Sequence, residues 1–426
     1  MEAITLQTLP PKAVLVGVHL PHHADFAYSM QELRNLAEAN DLEVVDTLSQ
    51  KAARVSPSHY LGTGKIEELR TLVLGHEATL VIFNDELSPS QLRNLEASLE
   101  VTVIDRTLLI LDIFAQRAQS REAQLQVEVA RLQYMLPRLV GLRASLGRQG
   151  GGAGLKNRGS GETQLELDRR RIEERISTLQ TELEKLVARR QVQRKQRHKN
   201  EMPVVCLVGY TNTGKSSLMN ALMEACQADS AKHVFVKNML FATLETSVRQ
   251  LELPDRKTFL LTDTVGFVSQ LPHHLVKAFR STLEEVAEAD LLVHVVDASN
   301  PQGALQIEVT KATLKELGAA EIPTIYAYNK CDQTDEAYPR VEEDRIYMSV
   351  KERSGLTELL EQVRRHIFQD YVQCEILIPF DQGRLVAYFN EHANVQATSY
   401  EPEGTRLTLE CRAADFERYK DAFVVL

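Results

Sequence analysis

The sequence predicts an α/β protein in which two parallel-sheet domains are joined by a helical hairpin and followed by a small α+β domain. Apolar, β-branched runs alternate with helical patterns over residues 12–118 and 201–370, which is typical of parallel sheets covered on both faces. Apolar residues at heptad spacing predict the hairpin, and a phosphate-loop pattern predicts a doubly wound P-loop domain. We expect an N-terminal α/β domain at 1–118, a basic hairpin at 119–200, the P-loop domain at 201–370 and the α+β domain at 371–426.

Composition and charge narrow the possible classes of protein. The formal net charge is −10, yet residues 137–200 carry 16 Lys and Arg against 7 Asp and Glu, which indicates that this segment meets a polyanion. The five cysteines are scattered without a C-x-x-C pair, so we expect reduced thiols and neither a disulfide framework nor a zinc site. No apolar run is as long as a membrane span, and residues 1–12 do not resemble a secretory signal. We expect a cytoplasmic monomer without stable membrane insertion.

The N-terminal domain is predicted to contain four strands that alternate with helices. We place strands at 13–18, 43–45, 79–83 and 101–105, and helices at 28–39, 65–74 and 88–99. Residues 62–65 (Gly-Thr-Gly-Lys) resemble half of a phosphate loop. However, His59 stands where the first glycine is required, and Ile66 stands where a hydroxyl residue should follow the lysine. We therefore interpret this stretch as a turn into a helix rather than a nucleotide site.

Two heptad seams predict an antiparallel helical hairpin. The first seam consists of Leu125, Val129, Leu132, Leu136 and Leu139, and the second of Leu165, Ile172, Ile176, Leu179, Leu183 and Leu186. We expect one long helix from about 107 to 139, with an end or a kink at Pro137 because proline lacks the amide hydrogen that a helix uses. A second helix is expected over 160–199, about 60 Å long at roughly 1.5 Å per residue.

The hairpin tip, residues 141–161, is rich in glycine, and every charged residue from 137 to 161 is basic. This composition fits a flexible glycine linker whose arginines maintain solubility, and it also fits a cationic finger that enters a crevice lined with phosphate. A second basic run at 185–199, which contains no acidic residue, favours nucleic-acid contact. The predicted RNA-binding residues are Arg138, Arg143, Arg148, Lys156, Arg158, Arg194, Lys195 and Arg197.

Residues 209–216 (Gly-Tyr-Thr-Asn-Thr-Gly-Lys-Ser) match G-x-x-x-x-G-K-[ST] between an apolar strand and a helix. The glycines let successive amide groups face one concavity, and the following helix adds its positive N-terminal end. Lys215 can reach the β- and γ-phosphate oxygens, and Ser216 can offer its hydroxyl to Mg²⁺. The sequence therefore predicts a site for a nucleoside triphosphate with Mg²⁺ as cofactor.

A D-x-x-G element and a threonine complete the predicted switch. Asp263 would hold Mg²⁺, with Ser216 and Thr243 as the other protein oxygens, and the Gly266 amide would donate to the γ-phosphate until hydrolysis. Lys215, Thr243 and Gly266 are thus the candidate catalytic residues. Phe267 stands where many switch GTPases carry a glutamine that orients water, so slow intrinsic hydrolysis is expected until a partner completes the geometry.

The base-reading elements indicate guanine. Residues 329–332 (Asn-Lys-Cys-Asp) end a predicted strand, and Asp332 is an acceptor suited to the two N–H donors on the guanine edge, which adenine lacks. The predicted nucleotide-binding set is Gly209, Tyr210, Thr211, Asn212, Thr213, Gly214, Lys215, Ser216, Phe241, Ala242, Thr243, Leu244, Glu245, Asp263, Thr264, Val265, Gly266, Asn329, Lys330, Cys331, Asp332, Ser349, Val350 and Lys351. The elements occur in the order typical of the translation-factor-related class of GTPases. The C-terminal residues from 371 show no such constellation.

Over residues 12–370 the chain resembles the HflX family of ribosome-associated GTPases. The resemblance is carried by the order of domains and by residues 61–68 (Leu-Gly-Thr-Gly-Lys-Ile-Glu-Glu), 159–163 (Gly-Ser-Gly-Glu-Thr), 241–245 (Phe-Ala-Thr-Leu-Glu) and 263–267 (Asp-Thr-Val-Gly-Phe). It implies GTP hydrolysis stimulated by the large ribosomal subunit, a hairpin that reaches ribosomal RNA, and a role in dissociating or rescuing stalled ribosomes.

Two other functions remain open at the level of sequence. The chain could be an RNA-binding scaffold that uses GTP as a structural ligand. It could also be an ATP-driven RNA remodeller that uses its N-terminal domain, although the incomplete match at residues 62–66 argues against this.

Overall fold

The computed structural model describes residues 10–21, 25–149, 158–199, 202–226, 246–269 and 285–426; the side chains at 139–149, 158–165 and 189–199 lie outside this description. The chain divides into two compact units. Among the residues described, the first unit contains the N-terminal sheet, the hairpin helices up to residue 196 and the segment 265–269. The second contains the remainder of the P-loop domain and the C-terminal domain. No described helix is both long enough and apolar enough to cross a bilayer.

The N-terminal domain is a parallel sheet with helices packed against it. Its strands are β1 (Lys12–His19), β2 (Glu43–Lys51), β3 (Leu80–Phe83) and β4 (Thr102–Asp105), in the order β2-β1-β3-β4. Its helices are α1 (Phe26–Ala39), α2 (Thr63–His76), α3 (Pro89–Leu99) and α4 (Arg106–Arg117). The core beneath them includes fully buried Val14, Val16, Phe83 and Leu95. The predicted alternation of strands and helices is confirmed.

The hairpin consists of α5 (Arg121–Gln149) and α6 (Arg158–Lys199). Leu125 and Val129 pack against Ile176 and Leu179, and Leu132, Ile172, Leu183 and Leu186 are partly buried against them, which confirms the seams at these positions. The side chains of Leu139 and Leu165 lie outside the described residues. Arg121 pairs with Glu182 at 2.8 Å. Arg175 pairs with Glu128, also at 2.8 Å. Compared with the first pair, the second pair lies seven residues later on α5 and seven residues earlier on α6, as antiparallel helices require.

The helix expected over 107–139 is wrong in two respects. It is divided between α4 and α5, because Ala118 adopts an extended conformation and Ser120 caps the next helix by accepting the Ala123 amide at 3.2 Å. Helix α5 also continues through Pro137 to Gln149, so the expected end near 137–139 is wrong, whereas a kink at Pro137 stays a prediction. Tyr134 and Arg138, which flank Pro137, are both buried, and Arg138 bonds to Leu87 and Asp105 of the N-terminal domain. These contacts stabilise the helix where Pro137 removes an amide donor.

The P-loop domain contains a seven-stranded sheet. The strands are β5 (Val204–Val208), β6 (Ser247–Glu252), β7 (Thr258–Asp263), β8 (Leu291–Asp297), β9 (Thr324–Asn329), β10 (Arg340–Glu342) and β11 (Arg345–Tyr347), in the order β10-β11-β9-β8-β5-β7-β6. The helices that lie entirely within the described residues are α7 (Lys215–Ala225), α8 (Gly303–Glu316) and α9 (Leu356–Ile367). The five inner strands are parallel, and the edge strands β6 and β10, which the sequence did not predict, are antiparallel.

The C-terminal domain is α+β, as predicted. It contains the antiparallel order β13-β14-β12-β15, and its elements are β12 (Tyr371–Ile378), α10 (Gly383–His392), β13 (Asn394–Glu401), β14 (Gly404–Arg412), α11 (Ala413–Tyr419) and β15 (Val424–Val425). Lys257, in the turn between β6 and β7, forms a 2.7 Å ion pair with Glu410 on β14. The ammonium group also lies over the Tyr371 ring, so one buried cation joins this domain to the P-loop domain.

Candidate nucleotide-binding site

The predicted phosphate loop connects β5 to α7 and requires its two glycines. Gly209 and Gly214 have φ values of +140° and +98°, a backbone region that side chains rarely allow. A β-carbon at Gly209 would collide with the carbonyl oxygen of Val295, and one at Gly214 would collide with the amide of Asn329. The loop is therefore pressed against β8 and the end of β9, with space for glycine alone.

Lys215 begins α7 and is buried with its ammonium group turned back over the loop. Its Nζ donates to the carbonyl oxygens of Gly209 at 3.0 Å and Tyr210 at 2.7 Å. Burial lowers the pKa of Lys215 to about 8, and the nearby Asp263 carboxylate partly opposes this shift. A phosphate oxygen would compete for the same three hydrogens, so the lysine is placed to exchange main-chain acceptors for a ligand.

Two oxygen-bearing side chains meet beside the loop. Ser216 Oγ donates to Asp263 Oδ2 at 2.6 Å, and Asp263 is fully buried at the end of β7. Thr264 Oγ1 donates to the carbonyl of Leu207 at 2.7 Å, which fixes the chain as it leaves β7. A hydroxyl beside a carboxylate is the oxygen chemistry that Mg²⁺ prefers, so these two residues could hold the ion together with phosphate oxygens and water. No cluster of three or more metal-ligating side chains occurs in the described parts of the chain.

Asn329 connects the phosphate loop to the predicted base-reading loops. Its side-chain nitrogen donates to the carbonyl of Thr213 at 2.9 Å, and its side-chain oxygen accepts the amide of Val350 at 3.0 Å. One buried amide thus links residues that are 116 and 21 positions away in sequence. The phosphate and base ends of the site are held in a fixed relation as a result.

Asp332 is held by the loop that follows β11. Its Oδ1 accepts the hydroxyl of Ser349 at 2.7 Å, and its Oδ2 lies 3.9 Å from the ammonium of Lys351. The carboxylate is 6% exposed, whereas the Lys351 side chain is 81% exposed. A carboxylate that neighbouring groups orient in this way can accept the pair of donors on a guanine edge.

Comparisons with known proteins agree with this geometry. Family models match three consecutive segments: GTP-binding GTPase N-terminal at residues 27–115, GTP-binding GTPase Middle Region at 117–197, and 50S ribosome-binding GTPase at 204–330. The chain is 45% identical to GTPase HflX of Caldanaerobacter subterraneus subsp. tengcongensis over 396 residues, which cover 93% of this chain and 90% of that protein. It is 38% identical to GTPase HflX of Escherichia coli strain K12 over 400 residues, 92% of each.

The chain belongs to the HflX family of GTPases. It binds guanine nucleotides and hydrolyses GTP. Among solved structures, a GTP-binding protein from Sulfolobus solfataricus in complex with GDP aligns with 84% of this chain and 99% of its own, at 23% identity and a TM-score of 0.44.

Two residues of this HflX-family site were not found from the sequence. Asp297 ends β8 and forms a 2.7 Å ion pair with Lys330, whose φ of +65° turns the chain between β9 and Asp332. His294 lies on β8 beneath Gly209 and is 2% exposed. Burial, together with the charges of Lys215 and Lys311, lowers the pKa of His294 to about 3. The signal for Asp297 was its position at a strand end, whereas nothing in the sequence distinguishes His294 from a core residue.

Other predicted residues are either buried in the structure or outside the described part of the chain. Cys331 turns its thiol inward to the carbonyl of Tyr328, so only its backbone is available to a ligand. Val265 is buried directly after Thr264 and before Gly266. Phe241, Ala242, Thr243, Leu244 and Glu245 lie outside the described residues, as does Lys156.

One predicted RNA contact of this HflX-family chain is wrong. Arg138 is buried: its guanidinium pairs with Asp105 at 2.7 Å and donates to the carbonyl of Leu87 at 3.0 Å. The guanidinium carbon also lies 3.5 Å from the centre of the Tyr134 ring. Arg138 therefore anchors α5 to the N-terminal domain instead of contacting RNA. The side chains of Arg143, Arg148, Arg158, Arg194, Lys195 and Arg197 are outside the described residues.

Proposed function

We propose that this GTPase is a nucleotide-controlled switch that binds the large ribosomal subunit in its GTP form and dissociates or rescues stalled ribosomes in the cytoplasm. The observation that carries the proposal is the linked nucleotide site, in which Asn329 joins the phosphate loop to the base-reading loops. The family model named 50S ribosome-binding GTPase, which matches residues 204–330, supports the choice of partner. We expect the protein to act as a monomer.

In the proposed reaction, Lys215 neutralises charge on the β- and γ-phosphates, and Ser216, Thr243 and Asp263 would hold Mg²⁺. When bound there, the ion would supply positive charge that stabilises the transferring phosphoryl group. The Gly266 amide donates to the γ-phosphate and loses this contact after hydrolysis, which is the switching event. Phe267 is 2% exposed and carries no group that can orient water, so contact with the ribosome supplies the missing geometry and raises a low intrinsic rate.

The hairpin is the proposed RNA-binding element. α6 continues as a helix to Lys199, so the basic run at its end is carried on a stiff support. Arginine and lysine release counterions from RNA when they neutralise phosphates, and binding therefore weakens as salt rises. Arg143, Arg148, Lys156, Arg158, Arg194, Lys195 and Arg197 are the proposed contacts.

Sedimentation with purified ribosomal subunits tests the proposal. Large-subunit binding should be at least about tenfold tighter with a non-hydrolysable GTP analogue than with GDP, a coupling in the usual range for two-state proteins. Lys215→Ala should remove this dependence, whereas Lys65→Ala should keep it because, among the described residues, Lys65 pairs with neighbouring Glu68 on α2. Equal binding in GDP and the analogue would contradict the switch and favour a scaffold that uses GTP as a structural ligand.

Hairpin variants in the same assay separate RNA contact from general charge. The triple variant Arg194→Ala, Lys195→Ala, Arg197→Ala should weaken binding and flatten its salt dependence. The triple variant Arg169→Ala, Arg170→Ala, Arg171→Ala is the matched control, because it removes the same charge from α6 where each arginine already pairs with an acid.

Single-turnover GTP cleavage should accelerate when subunits are added. Fast cleavage by the isolated chain would contradict the proposed role of the ribosome.

A further inference from the structure

The N-terminal sheet has a topological switch point between β1 and β3, the kind of place where α/β sheets bind ligands. The chain runs from β1 to β2 on one side and then returns to β3 on the other side of β1, because the strand order is β2-β1-β3-β4. Open α/β sheets bind ligands at such a switch point, beyond the carboxyl ends of the strands. Asn84 directly follows β3 and Arg106 directly follows β4, so both lie at this edge.

A buried charged pair occupies this edge. The Arg106 and Glu32 side chains form an ion pair at 3% and 4% exposure. Arg106 Nη1 also donates to Asn84 Oδ1 at 3.1 Å and to the carbonyl of Ser29 at 3.4 Å, and Ser29 and Asn84 are hydrogen-bonded to each other. A buried ion pair stabilises a fold only when further partners satisfy it, so a group that completes this pair is held firmly.

The occupant of this position is Ser269. Arg106 Nη2 donates to the carbonyl oxygen of Ser269 at 3.2 Å and to its Oγ at 3.2 Å, while the Ser269 hydroxyl donates to the Glu32 carboxylate. Ser269 lies three residues after Gly266, and the intervening Phe267 and Val268 are each 2% exposed. The N-terminal domain thus binds the segment that directly follows the D-x-x-G element, in the place where a related sheet would bind a small molecule.

We propose that Glu32 and Arg106 are positioning residues for the GTPase reaction, which hold Ser269 and thereby couple the nucleotide state to the N-terminal domain. When the Gly266 amide follows the γ-phosphate, the chain three residues later must move with it, so the contact to Ser269 opposes the GTP-bound arrangement. By reciprocity, GTP weakens the contact and frees the ligand position of the N-terminal domain. This inference rests on the assigned role of Gly266 and on GTP binding, and it is independent of the ribosome.

Nucleotide affinities of the isolated full chain test the coupling. Ser269→Ala and Glu32→Gln should each raise the affinity for a non-hydrolysable GTP analogue relative to GDP by about fivefold, the low end of typical coupling between sites. Ser269→Thr keeps the hydroxyl and should restore the wild-type ratio. Glu38→Gln, on the exposed face of the same helix α1, is the matched control. An unchanged or lowered ratio in Ser269→Ala, or an equal rise in Glu38→Gln, would overturn the proposal.

Amide hydrogen exchange of α1 provides a readout that a purely structural contact would not change. Exchange in the segment Phe26–Ala39 should be faster with the GTP analogue than with GDP in the wild type. The difference should vanish in Ser269→Ala, where α1 should exchange at the faster rate with either nucleotide. Exchange that does not respond to the nucleotide in the wild type, or a difference that persists in Ser269→Ala, would overturn the coupling while leaving the proposed ribosome binding untouched.

Discussion

Two turns in this chain place a glycine before a lysine at the start of a helix, and they are built differently. At residues 209–216, both glycines have positive φ and neighbouring backbone excludes a β-carbon. At residues 62–65, Gly62 precedes α2 with an ordinary extended backbone, and Gly64 is exposed with open space where a β-carbon would stand. The two lysines differ as well, because Lys215 is buried and Lys65 pairs with Glu68 near solvent.

The difference shows that the lysine and the glycine do not make a phosphate loop by themselves. A phosphate loop needs backbone amides that converge, and convergence requires the left-handed conformations found at Gly209, Asn212 and Gly214. The turn at 62–65 lacks these conformations, and its Gly62 amide already donates to Gln50 Oε1 at 3.1 Å. The structure therefore gives no support to an ATP-driven remodeller that acts through this turn.

Alanine at one glycine of each turn sharpens the comparison most strongly. Gly209→Ala should weaken GTP binding by about 1000-fold, because backbone strain of roughly 1–3 kcal/mol adds to the collision with the Val295 carbonyl. Gly64→Ala should leave GTP binding unchanged and stabilise the chain by up to about 1 kcal/mol, since alanine favours a helix. Calorimetric titration and thermal unfolding measure the two effects. Weaker binding of GTP or ATP in Gly64→Ala would mean that the first turn also serves a nucleotide.

The same contrast explains how far the sequence alone could lead. The predicted phosphate and base loops are short and their backbone geometry restricts residue type, so Gly209, Asn329 and Asp332 could be predicted as site residues from the sequence. The inner parallel strands were likewise evident because both faces are buried. Strands β6 and β10 were missed because they are edge strands whose residues are mostly half-buried or exposed and form no apolar run.

Contacts between distant residues could not be foreseen. Arg138 resembled its basic neighbours, yet it is buried by a partner 33 residues away, Asp105. Ser269 belongs to no motif, and its partner Arg106 lies 163 residues earlier. A charged residue in a basic run is usually a solvated one, and only the packing of α5 against the N-terminal domain reverses that expectation for Arg138.

Base selectivity offers the second test, since only the second of the two turns is joined to a base-reading loop. Asp332→Asn should weaken GTP binding by about 100-fold, because two hydrogen bonds to a charged acceptor are lost at roughly 1.5 kcal/mol or more each. Ser349→Ala leaves the carboxylate but removes the hydroxyl that orients it, so a smaller loss of about fivefold is expected. Competition between GTP and ATP for the wild type and both variants provides the measurement. Undiminished preference for GTP in Asp332→Asn would place guanine recognition elsewhere.

The smallest expected effect is on the pH dependence of stability, and it arises from the side chain that lies against each turn. Neutral His294 lies against Gly209, whereas the amide of Gln50 lies beside Gly62. Burial lowers the pKa of His294 to about 3, whereas an unfolded histidine titrates near 6.5. The unfolded chain therefore takes up a proton below pH 6.5 that the folded chain refuses until about pH 3, and stability is lost as pH falls through this window. Between pH 7.5 and 5.5 this group should lower the free energy of unfolding by about 1.4 kcal/mol.

Urea unfolding of the wild type and His294→Gln at both pH values isolates this contribution, because all other titrating groups are common to the two chains. The variant should be less sensitive to acid than the wild type by the same amount, although a lost packing contact lowers its stability at either pH. His392→Gln, which changes a half-exposed histidine in the C-terminal domain, should keep the wild-type dependence. An identical pH dependence in wild type and His294→Gln would mean that the imidazole beneath the phosphate loop accepts a proton in the folded protein. The two turns would then not differ in the polarity of the side chains packed against them.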